Sequence, residues 1–201
     1  FHNLKLNAIS YTDYHDEDTV VNIENISKKV KEIFSEANVI NQLLQDNIDL
    51  KKVKVYYFKG LDVAMKMKSI KTQNVVALYN NISKLYHRQN MLDSAEYFGL
   101  KALEQGILLY GDKPNDRVLF SNCQLAYIYG DMDKLEVALK YGKSCLSMAE
   151  NLFEEDNFAK VYALSTVGNI YHLMQDYKTY KSYSTRATIM IEELFGPSHP
   201  M

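Results

Sequence analysis

The sequence feature that most limits the fold is a helix-stop phrase that returns at a fixed spacing. It reads LYGDKP at 109–114, LFEEDN at 152–157 and LFGPSHP at 194–200. If Gly111, Glu154 and Gly196 are equivalent, the two steps are 43 and 42 residues. A glycine just past the last helical turn, followed by proline, is typical of a helix end. A fixed period of this size indicates a repeat architecture.

Each period contains two stretches of apolar residues with helical spacing, which predicts two antiparallel helices per repeat. The first, helix A, carries Tyr86, Tyr129 or Tyr171 at one recurring position. The second, helix B, carries small residues where the two helices must approach closely. The recurring tyrosines are interpreted as core residues rather than as a platform for stacking nucleic-acid bases. The sequence therefore predicts an all-α fold.

The repeats divide the chain into three parts. Residues 1–25 are polar and acidic, and we expect a solvated segment there. Residues 26–73 are predicted as a degenerate helix pair, because the apolar residues keep helical spacing but lack the small residues of the repeats. Residues 74–201 hold the three repeats, which are predicted at about 74–115, 116–157 and 158–200.

Composition and charge disfavour several classes of function. The chain has 23 Lys and Arg against 25 Asp and Glu, and a net charge of −2 disfavours nucleic-acid binding, including helical repeats that read RNA. No apolar run is long enough to predict membrane insertion. The two cysteines, Cys123 and Cys145, are too few for a disulfide framework or a four-cysteine zinc site. They point to a reducing compartment, so we expect a cytoplasmic location, with the nucleus as the alternative.

No catalytic motif is present: the sequence has no phosphate-binding glycine loop, nucleophile elbow or paired-histidine zinc motif. The acidic residues around His15, at 13–18, lack the spacing of a calcium loop and are interpreted as a solvated loop. Cys123 with His87 or His172 would form a nucleophile and base only if the fold brought them together. Helix positions already explain all three residues. We therefore expect no enzyme activity, no metal and no cofactor.

The order of residues in each period resembles the tetratricopeptide repeat (TPR). The 42-residue spacing and the Gly-Pro-Ser-His-Pro ending at 196–200 are similar to the longer repeat of kinesin light chains. Residues 78–86 (LYNNISKLY) are similar to the Asn-Asn helix A of that family. The resemblance covers about 74–200, with departures at Tyr180, where alanine is usual, and at 154–157. It implies a right-handed superhelix of antiparallel helix pairs, a TPR-like solenoid.

A second resemblance implies a different protein context. Residues 38–67, residues 138–143 (ALKYGK) and the same C-terminal phrase are similar to the C-terminal helical domain of SET- and MYND-domain lysine methyltransferases. The catalytic SET part and the cysteine-rich MYND part of that family are not present in this sequence. The alternative function is therefore that of a helical regulatory domain of a larger enzyme such as a protein-lysine methyltransferase.

The face of helix A away from the tyrosine positions is the candidate binding surface, because A helices line the concave side of stacked helix pairs. We call this surface the groove. Its amides and hydroxyls can pair with both the N–H and C=O groups of an extended peptide, and the TPR resemblance implies the same role. The predicted groove residues are Asn80, Asn81, Lys84, His87, Arg88, Gln124, Tyr127, Ser165, Thr166, Asn169 and His172, with Cys123 and Asp131 beside them.

The expected function is protein–protein interaction, by a TPR scaffold that holds a peptide segment of a partner protein in the groove. A clamp for a C-terminal carboxylate is disfavoured, because Lys84 and Arg88 lie on one helix A and the later A helices add no groove cations. The last helix B, about 177–195, is expected to support weak self-association through partly uncovered apolar side chains. These are Tyr180, Tyr183, Ile189 and Leu194.

Overall fold

The computed structural model describes residues 50–65 and 73–196. These residues form seven α-helices and no strand, which confirms the predicted all-α fold. The helices are α1 (Leu50–Met65), α2 (Gln73–Arg88), α3 (Leu92–Tyr110), α4 (Asp116–Asp131), α5 (Leu135–Leu152), α6 (Phe158–Leu173) and α7 (Tyr177–Phe195).

The helices after α1 form three antiparallel pairs. Helices α2, α4 and α6 are the A helices, and α3, α5 and α7 are the B helices that follow them. Helix α1 lies in the segment that the sequence predicted as a degenerate helix pair. The predicted polar segment at 1–25 and the first helix of that degenerate pair lie outside the described residues.

The turn between the two helices of each pair has one recurring backbone form. Asn90, Asp133 and Gln175 follow the A helices and have φ angles of 56°, 59° and 62°. These values lie in the left-handed region, which short polar side chains such as Asn and Asp tolerate best. The three residues are 43 and 42 positions apart. The period of the sequence is therefore also a period of the backbone.

Two of the three helix-stop phrases end their helices through a glycine. Gly111 and Gly196 have φ angles of 63° and 87°. Their N–H groups donate to the carbonyls of Ile107 and Glu192, at 2.8 and 2.9 Å. The middle phrase has no glycine: α5 ends before Phe153, and α6 begins after an N-cap.

A parallel aromatic stack fills the core of each pair. Tyr86 stacks on Phe98, Tyr129 on Tyr141 and Tyr171 on Tyr183, with ring centroids 5.5, 5.4 and 5.7 Å apart and interplanar angles of 16° or less. Tyr86 and Tyr129 are buried and Tyr171 is partly buried. In each pair the tyrosine of helix A packs against an aromatic ring of helix B. The interpretation of the recurring tyrosines as core residues is therefore confirmed.

The contacts between pairs give the stack its curvature. Helix α2 packs closely on α4 and α4 on α6. Within the described residues the backbones of the B helices do not approach one another so closely, and α5 and α7 meet through side chains, such as Arg186 and Glu150 at 3.6 Å. The A helices are thus the more closely spaced row, and the stack curves towards them. The A helices line the concave side, where the sequence predicted the groove.

Glycines of the B helices allow the next A helix to approach closely. A Cβ atom on Gly99 would lie 2.8 Å from Cδ2 of Leu125, and one on Gly142 would lie 2.8 Å from Cδ1 of Ile170. Real Cβ atoms do not approach other carbon atoms so closely. Leu125 on α4 and Ile170 on α6 therefore occupy space that a larger residue at the glycine position would fill.

The two cysteines pair with each other. Cys123 on α4 and Cys145 on α5 form a disulfide with Cα atoms 5.3 Å apart, and both residues are fully buried. Helical register explains the pairing, because it places both side chains at the interface between the two helices of the second pair. Because the two cysteines are paired, they no longer support the interpretation that the protein lies in a reducing compartment.

The structure also bears on membrane insertion. Among the helices at 50–65 and 73–196, none combines the length and the apolar character that a bilayer span requires.

Candidate functional site

The predicted groove residues lie on α2, α4 and α6, but they differ in how far they are open to a ligand. The exposed ones are Lys84, Arg88, Asn169 and His172. The partly buried ones are Asn80, Asn81, His87, Gln124, Tyr127 and Ser165. Thr166 is buried.

A hydrogen-bonded network centred on His87 joins α2 to α4. The Nε2 atom of His87 lies 2.6 Å from Oδ2 of Asp131, and its Nδ1 atom lies 3.3 Å from Nε2 of Gln124. Because an amide nitrogen can only donate, Nδ1 of His87 accepts and its Nε2–H donates to the carboxylate. His87 is therefore held in one orientation, with the exposed Asp131 at its side.

Asn80 connects the same two helices nearer the start of α4. Its Nδ2 atom donates to the carbonyl of Arg117 at 3.2 Å, and its Oδ1 atom accepts from the Ser121 hydroxyl at 2.9 Å. Both polar atoms of the Asn80 amide thus bind the neighbouring helix. This residue therefore joins two successive repeats, and both polar atoms of its amide already have partners.

Two further residues of the predicted set have their polar or reactive atoms turned inwards. Thr166 is fully buried, and its hydroxyl donates to the carbonyl of Tyr162 one turn earlier, at 2.8 Å. Cys123 is fully buried in its disulfide with Cys145 and has no free thiol to act as a nucleophile beside His87 or His172. Neither Thr166 nor Cys123 presents its side chain at the groove surface.

The other histidine of the predicted set packs against aromatic rings. His172 lies with its ring centroid 5.6 Å from that of Tyr177 and 5.1 Å from that of Tyr180, both edge-on. It therefore belongs to the junction of α6 and α7 as well as to the exposed surface. Tyr180, which replaces the usual alanine, packs beside Gly168, where an added Cβ would lie at an ordinary contact distance of 3.7 Å from its ring.

Three aromatic rings meet on the A helices, and the sequence analysis identified only one of them as a groove residue. Tyr162 lies 6.2 Å from Phe120 and 5.9 Å from Tyr127 between ring centroids, with tilts of 47° and 41°. We call these three residues the aromatic cluster. Phe120 is 41% exposed. The sequence does show that the two aromatic residues are equivalent, because Phe120 and Tyr162 each lie nine residues before a recurring core tyrosine.

The charge of the groove residues is uneven. Lys84 and Arg88 on α2 are exposed and form no ion pair within 50–65 and 73–196.

Burial raises the pKa of Tyr162 and of Tyr129. Burial, and then the neighbouring Tyr127, raise the pKa of Tyr162 to about 12, so its phenol stays protonated at neutral pH and can donate a hydrogen bond. Outside the groove, burial and a hydrogen bond to Glu96 raise the pKa of Tyr129.

The described residues contain no group of three or more His, Cys, Asp or Glu side chains placed to hold a metal ion. The acidic segment at 13–18, which the sequence analysis considered and interpreted as a solvated loop, lies outside those residues.

The stacked helix pairs, their recurring aromatic stack and the concave row of A helices define a TPR-like helical-repeat fold. The crystal structure of BtubC (BKLC) from P. vanneervenii is similar to this chain, with a TM-score of 0.73 and 21% sequence identity over 92% of this chain and 78% of that chain.

Two crystal structures of a Podosopora anserina putative kinesin light chain with nearly identical TPR-like repeats, one of them a variant, give TM-scores of 0.58 and 0.56. Each is 9% identical to this chain in sequence. The matched region covers 90% of each of those chains, and it covers 86% and 87% of this chain. At these identities the likeness concerns the fold alone. No protein-family model matches the sequence, and no curated protein is significantly similar to it.

Proposed function

We propose that this chain is a non-catalytic protein-interaction module that holds an extended peptide segment of a partner protein in the groove. The observation that carries the proposal is that polar and aromatic side chains are exposed or partly exposed on three successive A helices of a TPR-like stack. Lys84, Tyr127 and Asn169 occupy one equivalent position on α2, α4 and α6. A ligand that contacts all three must extend across the helices, as a peptide strand can.

The groups available for such a ligand are mainly neutral. Asn169 and Ser165 offer an amide and a hydroxyl, and Tyr127 adds a partly exposed phenol. An amide can donate to one backbone group and accept from another, so it recognises peptide backbone with little regard to sequence. The exposed cations Lys84 and Arg88 both lie on α2, which supports main-chain recognition over a carboxylate clamp spread across several helices.

The groove geometry also favours binding over catalysis. Among the histidines considered as bases, His87 is fixed between Gln124 and Asp131, and His172 packs on aromatic rings. The candidate nucleophile Cys123 is paired with Cys145 in a disulfide.

The resemblance to a methyltransferase helical domain, the cytoplasmic location and weak self-association remain predictions. For the last of these, Ile189 is 50% exposed on α7.

We expect Asn169→Ala to weaken peptide binding by about fivefold or more, because it leaves peptide backbone groups unpaired at a desolvated contact. Linear peptides selected from a random display library on the full chain serve as ligands, and fluorescence anisotropy measures the dissociation constant. Asn151→Ala is the matched control, since Asn151 is also exposed but lies on the B helix α5. Equal affinities for the wild type and both variants would place the binding surface elsewhere.

A further inference from the structure

We propose that the aromatic cluster of Phe120, Tyr127 and Tyr162 binds an arginine side chain of the partner peptide. This inference rests on the proposed function, and it adds the chemical class of the side chain that the groove selects. The cluster contains two residues that the sequence analysis did not assign to any role, Phe120 and Tyr162.

Part of the aromatic surface of the cluster is open to a ligand. Tyr162 is tilted by 47° to Phe120 and by 41° to Tyr127, so neither neighbour covers it in a parallel stack. The core stacks of the three repeats, in contrast, have interplanar angles of 16° or less. Phe120 is 41% exposed. A flat group can therefore lie against the exposed part of Phe120, beside the partly buried rings of Tyr127 and Tyr162.

The charges near the cluster favour a cation over an apolar group. Glu154, Glu155 and Asp156 lie just before Asn157, the N-cap of α6, and Tyr162 lies in the second turn of that helix. Lys160 is held by this loop, since its Nζ atom donates to the carbonyl of Glu154 at 3.1 Å and lies 3.4 Å from Oδ1 of Asp156.

The remaining charges leave the loop before α6 acidic. The carboxylates of Glu154 and Glu155 are exposed and form no ion pair in the described part of the chain. At the start of α4, near Phe120, Arg117 lies 4.0 Å from Asp116, and their charges offset each other. The exposed cations Lys84 and Arg88 lie on α2, two A helices away from α6.

Arginine fits this combination better than lysine. Its guanidinium is planar, stacks on aromatic faces and is less strongly hydrated than an ammonium group. Its donors can also bind carboxylates, which the loop before α6 supplies. The cluster and the loop at 154–156 would then recognise one side chain by its flat face and by its charge.

The test replaces arginine in the ligand, so that it does not depend on the stability of a protein variant. One peptide is chosen from those whose binding is weakened by Asn169→Ala, namely the peptide with the highest affinity. It is synthesised again with each arginine changed to citrulline, which keeps the shape of the side chain and removes its charge. We expect about tenfold weaker binding for the citrulline peptide at the contacting position. Lysine at that position should bind with intermediate affinity.

Protein variants then locate the contact. Tyr162→Ala should bind the arginine and citrulline peptides about equally, whereas Tyr97→Ala, which removes an exposed ring from α3, should keep the preference. The double change Glu154→Gln with Glu155→Gln lies on an exposed loop and should reduce the preference without loss of fold, which circular dichroism verifies.

The outcomes separate the two proposals. If groove-binding peptides are found but contain no arginine, or if citrulline binds as well, the arginine site is wrong and the proposed function stands. Enrichment of proline or leucine instead would likewise overturn the arginine site and show an apolar one. If no selected peptide depends on Asn169, both proposals fail.

Discussion

Replacement of Leu125 by alanine is expected to lower the free energy of unfolding by about 3 kcal/mol. Leu125 is fully buried, and its side chain occupies the space beside Gly99 where α4 packs on α3. Truncation leaves a cavity between two repeats that the rigid helix pairs cannot close. Denaturation in urea, followed by circular dichroism, measures the loss.

The matched control for this prediction is Leu100→Ala. Leu100 lies on α3 next to Gly99, but its side chain is 38% exposed, so its truncation should cost well under half as much. If the two variants lose the same stability, Leu125 does not hold the first and second repeats together in the way described.

Reduction of the disulfide between Cys123 and Cys145 is expected to lower the free energy of unfolding by about 3 kcal/mol. The bond closes a loop between residues 22 positions apart and joins α4 to α5. Most of the expected effect comes from the unfolded chain, which gains conformational freedom when the cross-link is removed. Urea denaturation of the oxidised protein with and without a strong thiol reductant measures the difference.

The control is the double variant Cys123→Ala with Cys145→Ala, which should unfold at the same urea concentration with or without reductant. Alanine is a natural replacement at the second position, because Ala102 and Ala187 are the equivalent residues of the other repeats. An equal stability of the oxidised and reduced wild type would contradict a disulfide in the folded protein.

The helices and their ends could be predicted because they depend on local sequence. Gly111 and Gly196 stop α3 and α7 through positive φ angles, as their place after an apolar stretch indicated. Tyr86 and Tyr129 are buried because helical spacing alone decides which face of helix A meets helix B. These features need no knowledge of the neighbouring repeat.

The groove was harder to predict because its residues also meet the next A helix. Asn80 was predicted to bind a peptide, but its amide binds Arg117 and Ser121 on α4. Thr166 lies only a few tens of degrees from the open face in helical projection, yet it is buried. The twist between successive pairs decides which residues stay open, and a single sequence does not specify that angle.

The aromatic cluster and the disulfide were missed for a related reason. Phe120 and Tyr162 lie on different A helices, so the pattern along either helix gives no sign that their rings meet. Cys123 and Cys145 lie on different helices, and their pairing requires the register of α4 against α5. Both features follow from contacts between helices rather than from the pattern along one helix.

Amide hydrogen exchange with and without a selected groove peptide tests the central claim most directly. We expect added protection of backbone amides in the A helices α2, α4 and α6, at the residues that face the groove, and little change in the B helices α3 and α5. Protection that is confined to the B helices, or spread evenly over both rows, would contradict a peptide-binding site on the concave side.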